Sequence, residues 1–233
     1  MIDRDTPERL GGLARWAFGG MALVGTPLQR RMKIVDTPER ALRDWLSFAE
    51  LGEADTWPRR WAEFYVQHSR EQVYDWLLSH GLKFFPAVNW VERGRFGEGN
   101  SVPRYHVLWG TSRELTLRVI AALQGAASAR TGGRLTVLSG HRVTALERTG
   151  GVVSGVQAVY EAEGAEVRVD APVVVLAMGG VNGSTEQCEA HWPAHRPRPA
   201  AMLNGAHPFA DGAMHRLVSE QLGAQLTHVG EMW

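Results

Sequence analysis

The chain has 233 residues, with 25 Lys and Arg balanced by 25 Asp and Glu, so its formal net charge is zero and a nucleic-acid surface built on bulk charge is argued against. Its length suits one large or two modest domains with a sizeable core. One cysteine cannot form an internal disulfide and points to a reducing, cytoplasmic setting. No apolar run reaches the ~18 residues of a membrane-spanning helix, and the first residues lack a basic-then-apolar secretion signal.

Near the start, Gly11-Gly12-Leu-Ala-Arg-Trp-Ala-Phe-Gly19-Gly20 sets two glycine pairs around an apolar and aromatic segment. Two readings stay open. The backbone passes close to a flat ligand beside Trp16 or Phe18, or the glycines merely permit tight, packed turns. Arg30 and Arg31 follow in a loop-like stretch and read as solvated.

Asp36-Thr-Pro-Glu39 predicts a helix start capped by Asp36 or Thr37, with Leu42, Trp45, Leu46 and Ala49 on its inner face. A second helix opens near Pro58 with Trp61 and Phe64 or Tyr65 inward. Ser69-Arg-Glu-Gln72 offers a capping box for a third, whose apolar face is Val73, Trp76 and Leu77 and which Gly81 ends. The aromatic stripe reads as core, because its period is the helix's own. Residues 36–80 thus form a helical insertion.

Short extended segments follow at Leu82–Phe85 and Val88–Val91. A glycine-rich loop from Arg93 to Pro103 carries Arg93 and Arg95, and Arg104 comes directly after it. His106 alone reads more readily as a locally bonded core-edge histidine than as a catalytic one. Thr111-Ser-Arg-Glu114 caps a helix running toward Ala129, with Leu115, Val119, Ala122 and Leu123 along one face.

Past Thr131-Gly-Gly133 the period changes. Arg134–Leu138, His141–Leu146, Val152–Tyr160 and Ala165–Val169 predict a four-segment antiparallel meander over 134–170. Val173-Val-Val-Leu-Ala then reads as a short parallel strand buried on both faces. It leads into Met178-Gly-Gly-Val-Asn-Gly183 and the helix start Ser184-Thr-Glu-Gln187. Strand, permissive glycines and helix start are the generic geometry for bringing backbone close to a phosphate-bearing ligand. Cys188, His191 and His195, with His207 further on, have the residue types of a zinc site, but Pro193 breaks the helix that would align them; they read as loop residues, and no metal is expected. Asp211 is placed to cap a final helix with Leu217, Val218 and Leu222 inward, ended by Gly223. No Walker sequence, zinc-protease pair or nucleophile grammar is present, and no Gly-x-Gly-x-x-Gly follows an N-terminal strand.

These segments in this order resemble the FAD-binding dehydrogenases, the group of the fumarate reductase and succinate dehydrogenase flavoproteins and the 3-ketosteroid Δ1-dehydrogenases. The likeness rests on Gly11–Gly20, Asp36–Trp45, Trp57–Glu63, Gly99–His106, Val174-Val-Leu-Ala-Met-Gly-Gly180 and His207-Pro-Phe-Ala-Asp211-Gly212. It implies an α/β fold: a partial Rossmann-like FAD-binding domain over 1–233, with the helical insertion, the meander, and a final part over 171–233 holding a sheet strand, the glycine turn and helices. It further implies FAD contacts at Gly11, Gly12, Gly19, Gly20, Val143, Gly179, Gly180, Asp211 and Gly212.

Family members begin with a strand and a pyrophosphate-gripping glycine loop, and end with a capping, catalytic part. This chain is expected to start after the first and stop before the second, an internal piece with no assigned catalytic residue. Met178 stands where the family has a small hydroxyl residue, and Ala210 where it often has glycine. For the intact parent the resemblance implies hydride transfer between flavin and a C–C or C=C bond of a small-molecule substrate. The competing expectation is an inactive fragment, or one chain of a split flavoprotein that needs a complementing chain.

Overall fold

The computed structural model describes residues 1–90, 98–129, 134–227 and 229–230. Arg93 and Arg95 of the glycine-rich loop, Val91, the Thr131–Gly133 punctuation and the closing Met232-Trp233 lie outside them. The chain divides into two compact units, one of Ala14–Gly133 and one joining Met1–Leu13 to Arg134–Trp233.

The Ala14–Gly133 unit is mostly helical. A two-stranded antiparallel ribbon pairs β1 (Gly20–Ala22) with β2 (Tyr105–Val107). Helix α1 (Pro27–Arg31) opens on a reciprocal capping box between Thr26 and Gln29. Helix α2 (Pro38–Phe48) takes Thr37 as its cap, the hydroxyl accepting from Arg40 N at 3.3 Å. Asp36, the other candidate, is engaged by Arg104 instead.

Helix α3 (Thr56–His68) runs directly into a π-helical segment, Ser69–Asp75, and on into α4 (Trp76–Ser79). No new helix starts at Ser69. Its buried hydroxyl accepts from Val24 N at 3.3 Å and is unavailable as a cap.

The buried face of α3 also differs from expectation. Ala62 and Val66 are buried, while Trp57, Trp61 and Phe64 are exposed. The small residues let α3 approach Val24 and Ala41, and the resulting cluster of Val24, Ala41 and Val66 leaves no room for indoles. On α2, Trp45 is partly exposed against the edge of Tyr65, and Asp44 takes the buried place. Helix α5 (Thr111–Ala129) adds Leu115 to a second cluster of Leu77, Leu82 and Leu108.

A buried polar network ties these elements together. Arg104, 4 % exposed, grips both Asp36 oxygens at 2.8 Å and Asp44 Oδ2 at 2.7 Å. Burial alone would raise the Asp44 carboxyl, but the Ser101 N–H and O–H and the Arg104 guanidinium outweigh it and hold the group below its ordinary value. His106, fully buried, donates from Nδ1 to the Arg104 carbonyl at 2.6 Å, and its Nε2 lies 2.8 Å from the Thr26 hydroxyl. Burial pushes its pKa down, outweighing the carbonyl and Asp36, so the ring is neutral. The core-edge reading of His106 describes what the structure contains.

In the second unit the meander has three strands. Strands β3 (His141–Thr149), β4 (Val152–Tyr160) and β5 (Ala165–Asp170) form an antiparallel sheet in that order. The fourth expected segment, Arg134–Leu138, lies outside this sheet. Leu138 bridges Ile2 in parallel, with Asp3 N donating to Leu138 O and Leu138 N to Met1 O, both at 2.9 Å. Helix α6 (Thr185–Ala190) is capped by Ser184, and α7 (Ala213–Leu222) ends at left-handed Gly223. The core is Leu146, Val156 and Val218, with Ile2, Val143, Val174, Met178 and Leu217 packed against it.

Val173–Ala177 is not the buried strand its composition predicts. Among the described residues it joins no ladder, and Val173 and Val175 are 73 % and 82 % exposed. A strand is a relation between two segments, and the three-stranded sheet pairs only within itself.

A candidate cofactor site

The glycine turn is held from behind by the loop that precedes α7. Gly183 N donates to Ala210 O at 2.8 Å, and Ala210 N donates to His207 O at 2.9 Å. A Cβ on Gly183 would collide with the His207 carbonyl and come within 2.8 Å of the Ala210 carbonyl, so only glycine fits. Gly179 is left-handed at φ 72°, with Ala210 Cβ 3.9 Å from where its own Cβ would stand. Gly212, at φ 74°, faces Val181 and Gln187 in the same way. The structure therefore brings Gly179, Gly180, Asp211 and Gly212 into one neighbourhood.

Asp211 sits at its edge. Oδ1 accepts from Ala213 N at 2.9 Å and Oδ2 from Arg4 Nη1 at 2.8 Å. Burial works to raise this carboxyl, but the Ala213 N–H and Arg4 prevail and lower it. Arg4 also clasps both oxygens of Glu161, at 2.8 and 3.0 Å, and lies 4.5 Å from the Phe209 ring centre. His207 accepts from Phe209 N on Nδ1 at 3.2 Å, with Nε2 2.9 Å from Asp5 Oδ2. The N-terminal segment thus anchors the 207–211 loop through Arg4 and Asp5. Sequence reasoning gave no hint of this, because the partners lie about 200 residues apart and carry no local pattern.

Gly11 and Gly12, in the same unit, have φ of 108° and 52°, and nothing stands within 4 Å of a Cβ on Gly12. Val143 pairs with Ala158 beside a bulge that leaves Thr144 out of register. Gly19 and Gly20 belong to the other unit, where their smallness has a packing reason. Ser112 N would be 2.8 Å from a Cβ on Gly19, and the Tyr105 ring occupies the space at Gly20. Among the described residues no three His, Cys, Asp or Glu groups converge as a metal site.

This arrangement offers left-handed glycines with approachable backbone and a carboxylate whose oxygens each retain a lone pair. Such a surface can accept hydroxyl donors and lets a ligand approach the backbone. The family described as FAD binding domain matches residues 6–233. The chain belongs to that family. FAD is the family's cofactor. A Gly-x-Gly-x-x-Gly phosphate grip is absent from these residues.

Relatives extend the comparison. A KsdD-like steroid dehydrogenase of Mycolicibacterium smegmatis is 34 % identical over 100 % of this chain and 45 % of its own length. One of Mycobacterium tuberculosis is 35 % identical over 43 % of its length. The crystal structure of 3-ketosteroid-Δ4-(5α)-dehydrogenase from Rhodococcus jostii RHA1, in complex with 4-androstene-3,17-dione, superposes with a TM-score of 0.75 at 26 % identity. That match covers 98 % of this chain and 49 % of the other. A flavocytochrome c3 fumarate reductase shares the fold at TM-score 0.70 and 22 % identity. The chain spans less than half the length of each relative, and the partial Rossmann-like α/β expectation holds.

Proposed function

We propose that this chain supplies FAD contacts to a dehydrogenase that moves a hydride between the flavin and a C–C or C=C bond next to a carbonyl. The observation that carries this reading is the turn Gly179–Gly183 seated on the His207–Gly212 loop, with Asp211 fixed by Arg4. The flavin, when bound, supplies the two-electron chemistry. This chain's residues hold and orient it: Gly179, Gly180 and Gly212 by close backbone approach, Asp211 by accepting hydroxyl hydrogen bonds. Gly11, Gly12, Gly19, Gly20 and Val143 are assigned further backbone contacts. The substrate class is a small apolar ketone of steroid type, supported by the relatives' names. The buried lone Cys188 suits a reducing cytoplasm, and no helix among the described residues is long and apolar enough to cross a membrane.

A second reading is favoured by the unladdered Val173–Ala177 segment: the chain acts only with a complementing polypeptide, and alone is inactive. Flavin titration separates the two. The purified chain alone is expected to be colourless and aggregation-prone. With the part of the M. smegmatis relative outside the match supplied as separate polypeptides, it is expected to retain FAD and oxidise a 3-ketosteroid with a dye acceptor. A yellow, stoichiometric preparation of the chain alone would overturn the need for a partner. Failure to retain flavin in either case would remove the dehydrogenase reading.

A further inference from the structure

Helix α3 is seated on its neighbours by small residues and turns its large ones outward. At about 100° per residue, Trp57, Trp61, Phe64 and His68 share one side, and buried Ala62 and Val66 share the opposite one. Trp57 and Trp61 are 67 % and 66 % exposed, and Phe64 is 45 % exposed. This inverts the usual pattern of a helix in water, whose apolar stripe faces the core. The exposed rings are also joined rather than scattered. The Arg60 guanidinium lies 5.2 Å from the Trp57 ring centre, Trp61 meets Phe64 edge-on at 6.0 Å, and Phe64 lies 4.4 Å from His68. Single exposed apolar residues need no explanation, whereas a contiguous group of large rings marks a surface that something covers.

Charge narrows the occupant. Arg60 is the formal charge beside this ridge, and among the described residues it has no ion-pair partner. Glu63 falls toward the opposite side by the same spacing. Asp55, at the start of the helix, is turned back on Gly52 N at 2.8 Å. The ridge is therefore aromatic and cationic, with no carboxylate on it. Two copies meeting face to face about a twofold axis would set Arg60 against Arg60 with no acid to answer either. A partner protein would need a groove matched to a ridge whose other side is already packed, through Val66, on Val24 and Ala41. A lipid surface needs no such match.

The geometry points to a membrane-docking surface: the Trp57–Trp61–Phe64 ridge lies in the interfacial layer of a bilayer containing anionic lipid, with Arg60 on the headgroup phosphates. Indoles settle at headgroup level, where the apolar ring and the polar N–H are both accommodated. An arginine beside them is drawn to anionic headgroups. The 13 residues of α3 lie on such a surface and do not span it, since a crossing takes about 20. The inference goes beyond the flavin reading and does not depend on it.

Flotation of the full chain with phosphatidylcholine vesicles, with and without added phosphatidylserine, tests this, because aggregated chain sinks and does not score. The chain is expected to float with the anionic vesicles and less with the neutral ones. Trp57→Gln and Trp61→Gln together should lower the anionic-vesicle affinity about tenfold or more, since burying even one large apolar side chain is worth that much. Arg60→Gln should lower it about fivefold and leave binding to neutral vesicles unaffected. Trp109→Gln, on an indole exposed elsewhere, should bind as the parent does. Urea titration of the double variant should give a cooperative transition close to the parent's, which separates lost binding from lost folding. A chain that does not float, or a double variant that floats as the parent does, would overturn the surface. So would a doubled mass by light scattering that the double variant loses, which would make a second copy the occupant. Loss of flotation when the uncovered portions of the M. smegmatis relative are co-expressed would overturn it too, by placing the ridge inside the larger protein. Flavin content does not enter the readout.

Discussion

Replacing Arg104 with methionine tests the buried network most directly. Its guanidinium donates to both oxygens of Asp36, to Asp44 Oδ2 and to Asn100 Oδ1, at 2.7 to 2.8 Å. The two carboxylate side chains are 0 % and 6 % exposed. Methionine has similar length but no charge, so both carboxylates stay buried without their cation. Removing one partner of a buried ion pair costs about 3–5 kcal/mol. Against a total of roughly 5–15 kcal/mol for a domain, that loss is large. With a urea slope of about 1–3 kcal/mol/M, the midpoint should drop by roughly 2 M.

The acid-side pH response should also shrink. In the parent, the lowered Asp44 group contributes stability that is present above its unfolded value of ~3.9 and is lost as pH falls through the folded value. In Arg104→Met the Asp44 carboxyl keeps only its Ser101 bonds against burial, so its folded value rises and less stability should be lost as pH falls from 5 toward 3. Urea titrations at both pH values check this. A loss under about 1 kcal/mol, or a variant that loses stability from pH 5 to 3 as steeply as the parent does, would show that the network is no stronger than a surface pair.

Other outcomes follow from single contacts. His106→Phe should lose about 1–3 kcal/mol by taking the acceptor from the Thr26 O–H and one of two donors from the Arg104 carbonyl, which keeps Leu23 N. Because the folded His106 binds its proton less readily than the unfolded chain does, the parent should weaken as pH falls below ~6.5; the variant should lack this component of the slope. Gly183→Ala should lose about 1–3 kcal/mol by thermal melting, whereas Gly205→Ala, with nothing within 4 Å, should be nearly neutral. Arg4→Gln should raise the Asp211 titration seen by NMR and cost under ~1 kcal/mol, since the pair is partly exposed. Trp57→Gln and Trp61→Gln should each leave the unfolding free energy from urea titration within about 0.5 kcal/mol of the parent.

The helix positions were legible in the sequence, but the direction each faces was less so. Periodicity located α2 and α3, yet the pairing of Trp61 with Phe64 or Tyr65 says only that these residues share a side. Which side is buried depended on Ala62 and Val66 meeting Val24 and Ala41, and on Asp44 meeting an arginine 60 residues away. The glycine turn was readable because left-handed backbone at Gly179 is a local requirement, whereas the lack of space at Gly183 comes from His207 and Ala210 and was not. Val173–Ala177 has the composition of an interior strand, but composition cannot report whether a neighbour is there to pair. The clasp of Arg4 and Asp5 on Asp211 and His207 had no signature, since it joins opposite ends of the chain.

The π-helical run Ser69–Asp75 bears on how this chain tolerates length changes. Wider coils absorb surplus backbone, and removing one residue there lets the path relax into ordinary α geometry. Everything downstream would then keep its facing, because the wide turn already held the extra residue. Leu77 would stay against Leu82 and Leu108. The same deletion inside α3 would instead turn all that follows by roughly 100° about the axis and carry Leu77 away from that cluster.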